Sequence, residues 1–283
     1  MNHNQRLSDY LTGWDLSKPK LLRQTMTSHI YTVTYDRETV ILKLFSPSET
    51  KEQIGAKALR YFDGCGAVRL LYADQGAQLL EYASGDELVT LVERGEDEAA
   101  TRIIAQVLEQ LHSFRQTVPD NGLFRLDDWF GELLRKAKSD RQAGLESIFI
   151  RSASVAERLL SDPQDVRVLH GDIHHRNIRQ SPRGWLAFDP KGLVGERTYD
   201  CANTLCNPVI TELTHNDTRL LTNAAILADK LKLDLSRVLA FTYAYACLNA
   251  SWWLLQKDSS EANSIVDWHL KVANIIEPHL NFQ

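Results

Sequence analysis

The sequence predicts an α+β fold in two lobes, with a small antiparallel sheet in the N-terminal lobe and mostly helices in the C-terminal lobe. Two observations lead to this prediction. Strand-like alternation and short apolar runs occupy the first part of the chain, and from Asp86 onward longer segments show the spacing of amphipathic helices. We therefore predict an N-terminal lobe at residues 1–85 and a C-terminal lobe at residues 86–283. A ligand is expected in the cleft between them.

The N-terminal lobe is predicted to contain a β-hairpin. In HIYTVTY, residues 29–35, the side chains alternate between two faces, and DRET then turns the chain. VILKLF, residues 40–45, follows as an apolar strand that only Lys43 interrupts. The hairpin therefore carries one positive charge inside its second strand.

A helix and two more strands complete the predicted N-terminal lobe. Residues 46–64 have a proline and a serine near the start and a glycine past the end, which are helix start and stop signals, although Gly55 within the segment disfavours a helix. Residues 67–74 and 77–83 are predicted as strands joined by a glycine-containing turn.

The C-terminal lobe is predicted to be helical except around one polar segment. Helices are predicted within residues 98–114, 147–162, 220–231 and 237–256. Short strands within residues 166–172 and 184–189 flank the polar segment VLHGDIHHRNI, residues 168–178.

Composition narrows the classes of function. The net charge of −5 argues against nucleic acid as a partner, because that binding requires clustered lysines and arginines. The four cysteines form no CxxC pair, and no apolar run approaches the roughly 18 residues of a membrane span. We expect a soluble cytoplasmic protein with reduced thiols, no membrane association and a small-molecule substrate. The sequence gives no indication of the oligomeric state.

The polar segment has the order and spacing of a phosphotransferase catalytic loop. His170 and Asp172 are followed five residues later by Asn177, and the next strand ends at Asp189. Phosphoryl transfer needs a carboxylate that accepts the hydroxyl proton and oxygen ligands that hold Mg²⁺ against the phosphates. We predict Asp172 as the base, and Asn177 and Asp189 as the magnesium ligands.

The predicted partner of this loop is Lys43. Its ammonium would meet the α- and β-phosphates of the nucleotide, and Glu52 is preferred over Glu49 as the carboxylate that orients it, since a buried lysine without a partner is unfavourable. The alternative is that Lys43 lies on an edge strand and faces water.

The histidines of the loop allow two other interpretations. His170, His174 and His175 could indicate zinc, but no HExxH motif or Cys/His ladder supports that site. The loop could also be a charged surface segment. We expect instead that His170 braces the loop through hydrogen bonds.

The motifs LHGDIHHRNI, RGWLAFDPKGLVGER, and DGCGAVRLL followed by LLEYASG resemble the aminoglycoside phosphotransferases, specifically the streptomycin 6-kinase and hydroxyurea kinase family. The resemblance extends from about Leu22 to the YAYACLNASWW segment. It implies a two-lobed protein-kinase-like fold with ATP and Mg²⁺ as cofactors. It also implies a hinge at about residues 81–85, whose backbone groups at Glu81 and Ala83 hold adenine, and a phosphate-covering turn in which Ser28 contacts the phosphates.

The resemblance further implies phosphorylation of streptomycin at its 6-hydroxyl, which would inactivate the antibiotic. Because streptomycin-like acceptors carry guanidinium groups, acidic and aromatic side chains are expected around them. The candidates on the C-terminal lobe are Glu196, Asp200, Glu212 and Trp252, with Trp253 and Trp268 also considered. Asp200 could instead brace the segment after Asp189, and each tryptophan could pack in the core.

Two other functions remain open at this point. A kinase of the same fold could act on hydroxyurea or another metabolite with unchanged catalytic residues. A nucleotide-binding protein without turnover need not retain all four of Lys43, Asp172, Asn177 and Asp189, and their joint presence favours an enzyme.

Overall fold

The computed structural model describes residues 3–46, 52–113, 117–119, 121–255 and 259–280, without the side chain of Glu52. A five-stranded antiparallel sheet forms most of its N-terminal part. The strands, in chain order, are β1 (Ser17–Gln24), β2 (Ser28–Tyr35), β3 (Glu38–Phe45), β4 (Leu70–Ala73), β5 (Ala77–Glu81), β6 (Phe124–Arg125), β7 (Val166–Leu169), β8 (Ile178–Ser181), β9 (Gly184–Ala187) and β10 (Leu193–Glu196). The helices are α1 (His3–Gly13), α2 (Glu52–Phe62), α3 (Val89–Glu93), α4 (Asp97–Ser113), α5 (Leu126–Trp129), α6 (Gly131–Gln142), α7 (Ile148–Ser161), α8 (Asp200–Leu205), α9 (Thr211–Thr214), α10 (Asp217–Leu231), α11 (Leu235–Leu254) and α12 (Ser260–Ile276).

The predicted hairpin is formed by β2 and β3. Its register pairs Ser28 with Phe45 at one end and Tyr35 with Glu38 at the other. Asp36 and Arg37 make the turn, and both have positive φ angles, of 45° and 67°, as a tight two-residue hairpin turn requires. The complete sheet has the order β1-β2-β3-β5-β4.

The sequence did not predict β1 or α1. Every residue of β1 is exposed, so the strand lacks the alternation that would have revealed it. Helix α1 contains no fully buried residue, but Leu7, Leu11 and Trp14 on and beside it cover the apolar face of the sheet. Both elements are therefore stabilised by pairing and packing with the hairpin.

Helix α2 approaches the C-terminal lobe closely at Gly55. A Cβ atom at this position would lie 2.4 Å from the carbonyl oxygen of Pro190, well inside van der Waals contact. The glycine that weakened the helix prediction is therefore required by a backbone contact between the lobes.

The C-terminal lobe is built around α11, which packs against α6, α7, α8, α10 and α12. Twelve residues of α11 are buried, so the helix has almost no polar face. No helix among the residues that the structure describes is long and apolar enough to span a membrane.

Two small sheets lie between the lobes and position the polar segment. Strands β6, β10 and β7 form one sheet, with Leu169 at the end of β7 opposite Leu193. Strands β8 and β9 form a hairpin, and β8 begins at Ile178, the last residue of the polar segment. The segment is thus held at both ends by strands, which fixes its path.

Candidate active site

The loop at residues 170–177 connects β7 to β8, and the His170 ring braces it from inside. The Nδ1 atom of His170 accepts a hydrogen bond from the Asp172 backbone amide at 3.2 Å, and its Nε2 lies 3.0 Å from the Phe188 carbonyl oxygen. The ring is fully buried, and burial lowers its pKa despite the nearby carboxylates. A neutral ring suits this pattern, because one nitrogen donates and the other accepts.

Asp200 holds the start of the same loop. Its carboxylate accepts hydrogen bonds from the backbone amides of His170 at 3.0 Å and Gly171 at 2.7 Å. The Nε2 atom of His112 lies 3.0 Å from the carboxylate. Asp200 is 2% exposed, so the structure does not place it as an acceptor contact. It supports the loop, because a buried carboxylate requires such donors.

Asp172 points out of this braced loop with both oxygen atoms engaged. Oδ1 accepts a hydrogen bond from Nδ2 of Asn203 at 2.8 Å, and Oδ2 lies 3.2 Å from Nζ of Lys191. The side chain of Asp172 remains 23% exposed. A substrate hydroxyl could therefore reach the carboxylate.

Asn177 lies beside Asp172 and is oriented by it. Its Nδ2 donates to the Asp172 backbone oxygen at 2.9 Å, and the backbone oxygen of Asn177 accepts from Phe188 at 3.0 Å. This orientation leaves the side-chain carbonyl oxygen of Asn177 as the atom that would meet a cation. It also links the catalytic loop to the residue directly before Asp189.

Asp189 forms an ion pair with Lys43 across the two lobes. Nζ of Lys43 lies 2.5 Å from Oδ1 of Asp189, and the lysine side chain is 7% exposed. Burial raises the pKa of Asp189, but the positive charges of Lys43 and Lys191 outweigh that effect and hold it below its ordinary value. The side chain of Glu52 and all of Glu49 lie outside the described residues, so the predicted orientation of Lys43 by Glu52 stays a prediction.

The donor set at Asn177 and Asp189 suits Mg²⁺. An amide oxygen and a carboxylate oxygen are hard ligands of the kind that this ion prefers, and nucleotide phosphates usually supply others. Within the described ranges, no group of three or more His, Cys, Asp or Glu side chains could hold a metal ion by itself. The two residues could therefore bind the ion jointly with a nucleotide.

A cleft of about 320 Å³ lies between the lobes and ends at Lys43 and Asp189. Its lining is Leu22, Arg23, Ile30, Ile41, Lys43, Val68, Gln78, Leu80, Glu81, Tyr82, Ala83, Glu87, Arg179, Phe188 and Asp189. Apolar side chains form its walls, as a flat aromatic ligand requires. The predicted hinge residues Glu81 and Ala83 both line this cleft, and among the described residues nothing accepts a hydrogen bond from the Ala83 amide.

The hinge is held in place by a side chain of the C-terminal lobe. Nε of Arg183 donates to Oε1 of Glu81 at 2.8 Å, and the same guanidinium reaches the carbonyl oxygens of Gly64 at 3.0 Å and Ala67 at 3.2 Å. Burial alone would raise the pKa of Glu81. The hydrogen bonds from Arg183 and the Arg69 amide have the opposite and larger effect, so the pKa lies below its ordinary value. The side chain of Glu81 is therefore occupied, and its backbone amide donates to the Arg69 carbonyl oxygen at 2.9 Å, so of the two predicted hinge amides it is that of Ala83 that could donate to a ligand.

The structure does not present the Ser28 hydroxyl to the cleft. Ser28 is 1% exposed, its hydroxyl lies 3.1 Å from Oγ1 of Thr25, and its backbone amide donates to the same atom at 3.0 Å. The predicted phosphate contact through this side chain is thus not formed, because the hydroxyl closes the turn between β1 and β2.

A second cavity, of about 290 Å³, has Asp172 in its wall. It is lined by Asp172, His174, Asn203, Cys206, Asn207, Val209, Tyr245, Asn249, Trp253, Ser264, Ile265, Trp268 and His269. Burial lowers the pKa of His174 and of His269, so both rings are neutral at pH 7. Asp172 is the sole carboxylate among these lining residues, contrary to our expectation of several acidic side chains. Aromatic rings and side-chain amides occupy most of the surface.

The other predicted acceptor residues lie away from this cavity. Glu196 is 1% exposed and pairs with Arg237, whose Nε lies 2.9 Å from Oε1. Glu212 is exposed on the short helix α9 and does not line the cavity. The Trp252 ring packs edge-on against Trp129, with ring centroids 5.0 Å apart. On α11, Trp253 faces the cavity instead of Trp252.

Sequence reasoning missed several residues that the fold brings to Asp172. Lys191, Asn203, Tyr245 and Asn249 lie far from the polar segment in sequence or follow Asp189 without a recognisable motif. The one available signal was the lysine two positions after Asp189. The others depend on the rotation of α8 and α11, which the sequence pattern does not determine.

The fold matches that of known phosphotransferases. A solved structure of a thermostable mutant of aminoglycoside phosphotransferase APH(4)-Ia, in a ternary complex with ADP and hygromycin B, superposes with a TM-score of 0.64 at 12% identity over 95% of this chain and 97% of that chain. The predicted protein-kinase-like fold is thereby confirmed.

The sequence comparisons identify the family. A family described as aminoglycoside/hydroxyurea antibiotic resistance kinase matches residues 13–256. The chain is 34% identical to a streptomycin 3''-kinase of Klebsiella pneumoniae, covering 85% of this chain and 90% of that protein. It is 32% identical to a streptomycin 6-kinase of Streptomyces griseus, covering 84% of this chain and 79% of that protein. The chain belongs to the aminoglycoside/hydroxyurea antibiotic resistance kinase family.

Proposed function

We propose that this protein is a cytoplasmic ATP-dependent O-phosphotransferase that phosphorylates streptomycin and thereby inactivates it. The observation that carries the proposal is the position of Asp172. Its carboxylate lines the proposed acceptor cavity, while Asp189 and Lys43 line the nucleotide cleft, and Lys191, two residues after Asp189, lies 3.2 Å from Asp172. One residue therefore faces an acceptor at the point where a nucleotide would end.

The cleft between the lobes would bind ATP. Adenine would lie between its apolar walls, with the backbone of Glu81 and Ala83 as hydrogen-bonding partners. Lys43 would contact the phosphates at the inner end, where it already pairs with an anionic oxygen of Asp189 at 2.5 Å. Mg²⁺ held by Asn177 and Asp189 would neutralise part of the charge on the phosphates.

The transfer requires a group that accepts the proton of the attacking hydroxyl. The acceptor hydroxyl oxygen forms a bond to the γ-phosphorus while the bond from that phosphorus to the β–γ bridging oxygen breaks, and ADP leaves with the electron pair. The hydroxyl proton passes to the Asp172 carboxylate. Asn203, which donates to Oδ1 at 2.8 Å, keeps the carboxylate turned toward the cavity.

The acceptor cavity supports a cationic, multi-ring substrate. Its volume of about 290 Å³ lies near the lower limit for a drug-sized ligand, so one ring would enter and the others would extend past the rim. Trp253 and Trp268 offer aromatic faces on which a guanidinium group stacks favourably. The side-chain amides of Asn207 and Asn249 add hydrogen-bond acceptors without a further negative charge.

Two hydroxyl positions of streptomycin are candidates. The family resemblance favours the 6-hydroxyl of the guanidino-bearing ring. The similarity to a 3''-kinase over 85% of the chain favours the 3''-hydroxyl of the terminal sugar as the second candidate. Fragment mass spectrometry of the phosphorylated product distinguishes them, because the added phosphate stays with one ring or the other.

The first experiment measures ADP release with Mg²⁺-ATP and streptomycin. We expect release that depends on streptomycin in the wild type and is lost in Asp172→Ala. Asp229→Ala, a change at an exposed aspartate on α10, serves as the matched control and should behave as the wild type. Release no faster than without an acceptor would contradict streptomycin as the substrate.

The same assay distinguishes the remaining functions. ADP release with hydroxyurea in place of streptomycin would identify the alternative substrate that the family description names. ATP binding without release for any hydroxylated acceptor would indicate a nucleotide-binding protein without turnover.

A further inference from the structure

The segment directly after Asp189 brings a second lysine into the site. Lys191 places its Nζ 3.2 Å from Oδ2 of Asp172, on the side of the carboxylate opposite Asn203. Its backbone amide donates to the His170 carbonyl oxygen at 2.8 Å. The backbone of Lys191 is therefore fixed against the loop, while its side chain is 41% exposed.

Lys191 lies next to both carboxylates of the proposed transfer site. Its Nζ is 3.2 Å from Oδ2 of Asp172, and it follows Asp189 by two residues in the chain. Lys43 pairs with the same Asp189 from the nucleotide cleft. The transferred phosphoryl group would pass between an acceptor at Asp172, which the Lys191 amine contacts, and a nucleotide at Asp189, which Lys191 follows by two residues.

We propose that Lys191 is a catalytic residue whose ammonium contacts the γ-phosphoryl group as it moves from ADP to the acceptor. This proposal rests on the proposed phosphotransferase function. In the transition state, negative charge spreads over the three non-bridging oxygens of the phosphoryl group, and a compact cation beside them stabilises that charge. Lys43 contacts phosphates that stay with ADP, whereas Lys191 contacts the group that leaves it.

The resting contact with Asp172 explains how the lysine is kept in readiness. Without a nucleotide, the ammonium pairs with the catalytic carboxylate. When the γ-phosphate occupies the site, its greater negative charge attracts the ammonium away from Oδ2. That oxygen then becomes available to the acceptor hydroxyl, so binding of ATP prepares the base.

Kinetics of Lys191→Met, Lys191→Arg and the control Lys230→Met test the proposal. Removing one donor to a developing charge lowers kcat by about 10²–10³-fold, and we expect a loss of this order in Lys191→Met. Lys191→Arg should recover part of the lost kcat. Lys230→Met, at an exposed position on α10, should keep the kcat of the wild type. A kcat for Lys191→Met within about threefold of the wild type would overturn the proposal.

A binding measurement separates a catalytic from a structural role. ADP with aluminium fluoride and Mg²⁺ mimics the transferred phosphoryl group, and its affinity is compared with that of ADP and Mg²⁺ alone. We expect Lys191→Met to weaken the first at least tenfold and to leave the second and the melting temperature unchanged. A parallel fall of both affinities and of the melting temperature would show that Lys191 only supports the fold.

The acceptor-free rate keeps this test independent of the substrate proposal. Kinases transfer the γ-phosphoryl group slowly to water, and Lys191 would stabilise that transfer as well. If streptomycin is not the acceptor, Lys191→Met should still lower the rate of ATP hydrolysis. An unchanged hydrolysis rate would contradict the role of Lys191, whatever the acceptor.

Discussion

At the scale of single residues, the candidate catalytic loop at residues 170–177 is held by the buried carboxylate of Asp200. Asp200 accepts hydrogen bonds from the backbone amides of His170 and Gly171, and it lies beside His112 in the core. The sequence placed this aspartate close to the site, but a charged residue at such spacing can face either the substrate or the loop. Only the burial of Asp200 resolves the two roles.

Asp200→Asn should therefore destabilise the protein and slow catalysis. The amide cannot accept from both backbone donors and also satisfy His112, and loss of one member of a buried charged network costs about 3 kcal/mol. Urea unfolding should show this loss, and kcat should fall while the Kd for ATP stays nearly constant. Asp229→Asn is the control, with a change below about 0.5 kcal/mol because it is exposed. Equal stability of Asp200→Asn and wild type would contradict the bracing role.

At the scale of secondary-structure elements, α11 divides its two adjacent tryptophans between different functions. Trp253 lines the acceptor cavity, while Trp252 packs edge-on against Trp129. Neighbouring positions on a helix point about 100° apart, so the sequence indicated that the two rings differ. It did not indicate which one faces the cavity.

Alanine variants of these two residues should separate binding from stability. Trp253→Ala should raise the KM for the acceptor about tenfold, by loss of a stacking surface, with little change in the melting temperature. Trp252→Ala should lower the free energy of unfolding by about 2–3 kcal/mol through lost packing, with KM nearly unchanged. Steady-state kinetics and thermal unfolding of both variants give the comparison. The reverse assignment would show that the two rings exchange roles in solution.

Helix α2 provides a second prediction at this scale. Alanine normally stabilises a helix by about 1 kcal/mol relative to glycine, but a Cβ atom at Gly55 would overlap the Pro190 carbonyl oxygen. Gly55→Ala should therefore shift α2 away from the segment that carries Asp189, with a loss of about 1–3 kcal/mol and a lower kcat. Gly131→Ala in α6 is the matched control, because the nearest atom there is a flexible arginine end at 3.7 Å. A Gly55→Ala protein as active and stable as the control would refute the close contact.

The elements were predictable to different degrees. The β2–β3 hairpin has turn chemistry, α4 has helical periodicity and α11 is a long, mostly apolar segment, and the structure contains all three. Strands β1 and β8 have no such pattern because pairing with a neighbour, and not burial of one face, holds them. The order of His170, Asp172, Asn177 and Asp189 was visible in sequence, whereas Glu196 was misplaced because its partner Arg237 lies in a distant helix.

At the scale of the whole molecule, the lobes are joined at the hinge by Arg183. This side chain of the β8–β9 turn holds the Glu81 carboxylate and two carbonyl oxygens that precede β4. If this segment is the hinge that we propose, its fixed position would present its backbone to adenine in one conformation. The geometry of the cleft therefore depends on a residue that does not line it.

Arg183→Met should weaken ATP binding and destabilise the protein in a pH-dependent manner. At pH 7 we expect a loss of about 1–2 kcal/mol, reduced because the pair is partly exposed, and a several-fold higher Kd for ATP. The pKa of Glu81 is lowered in the folded state, so the stabilisation is present above its ordinary pKa of about 4.3 and is lost as the pH falls through the folded-state value. Urea unfolding at pH 7 and near pH 3 should show the difference between variant and wild type shrinking in acid. A difference independent of pH would contradict this assignment.

The two cavities differ in which part of the chain builds them. The nucleotide cleft takes its walls from both lobes, whereas every residue that lines the acceptor cavity lies between Asp172 and His269. Substitutions in α11 and α12 can therefore alter the acceptor without disturbing the walls that would hold ATP. In a family whose relatives include a streptomycin 3''-kinase and a hydroxyurea phosphotransferase, this separation would let the acceptor change by substitutions in α11 and α12 while the N-terminal walls of the nucleotide cleft stay as they are.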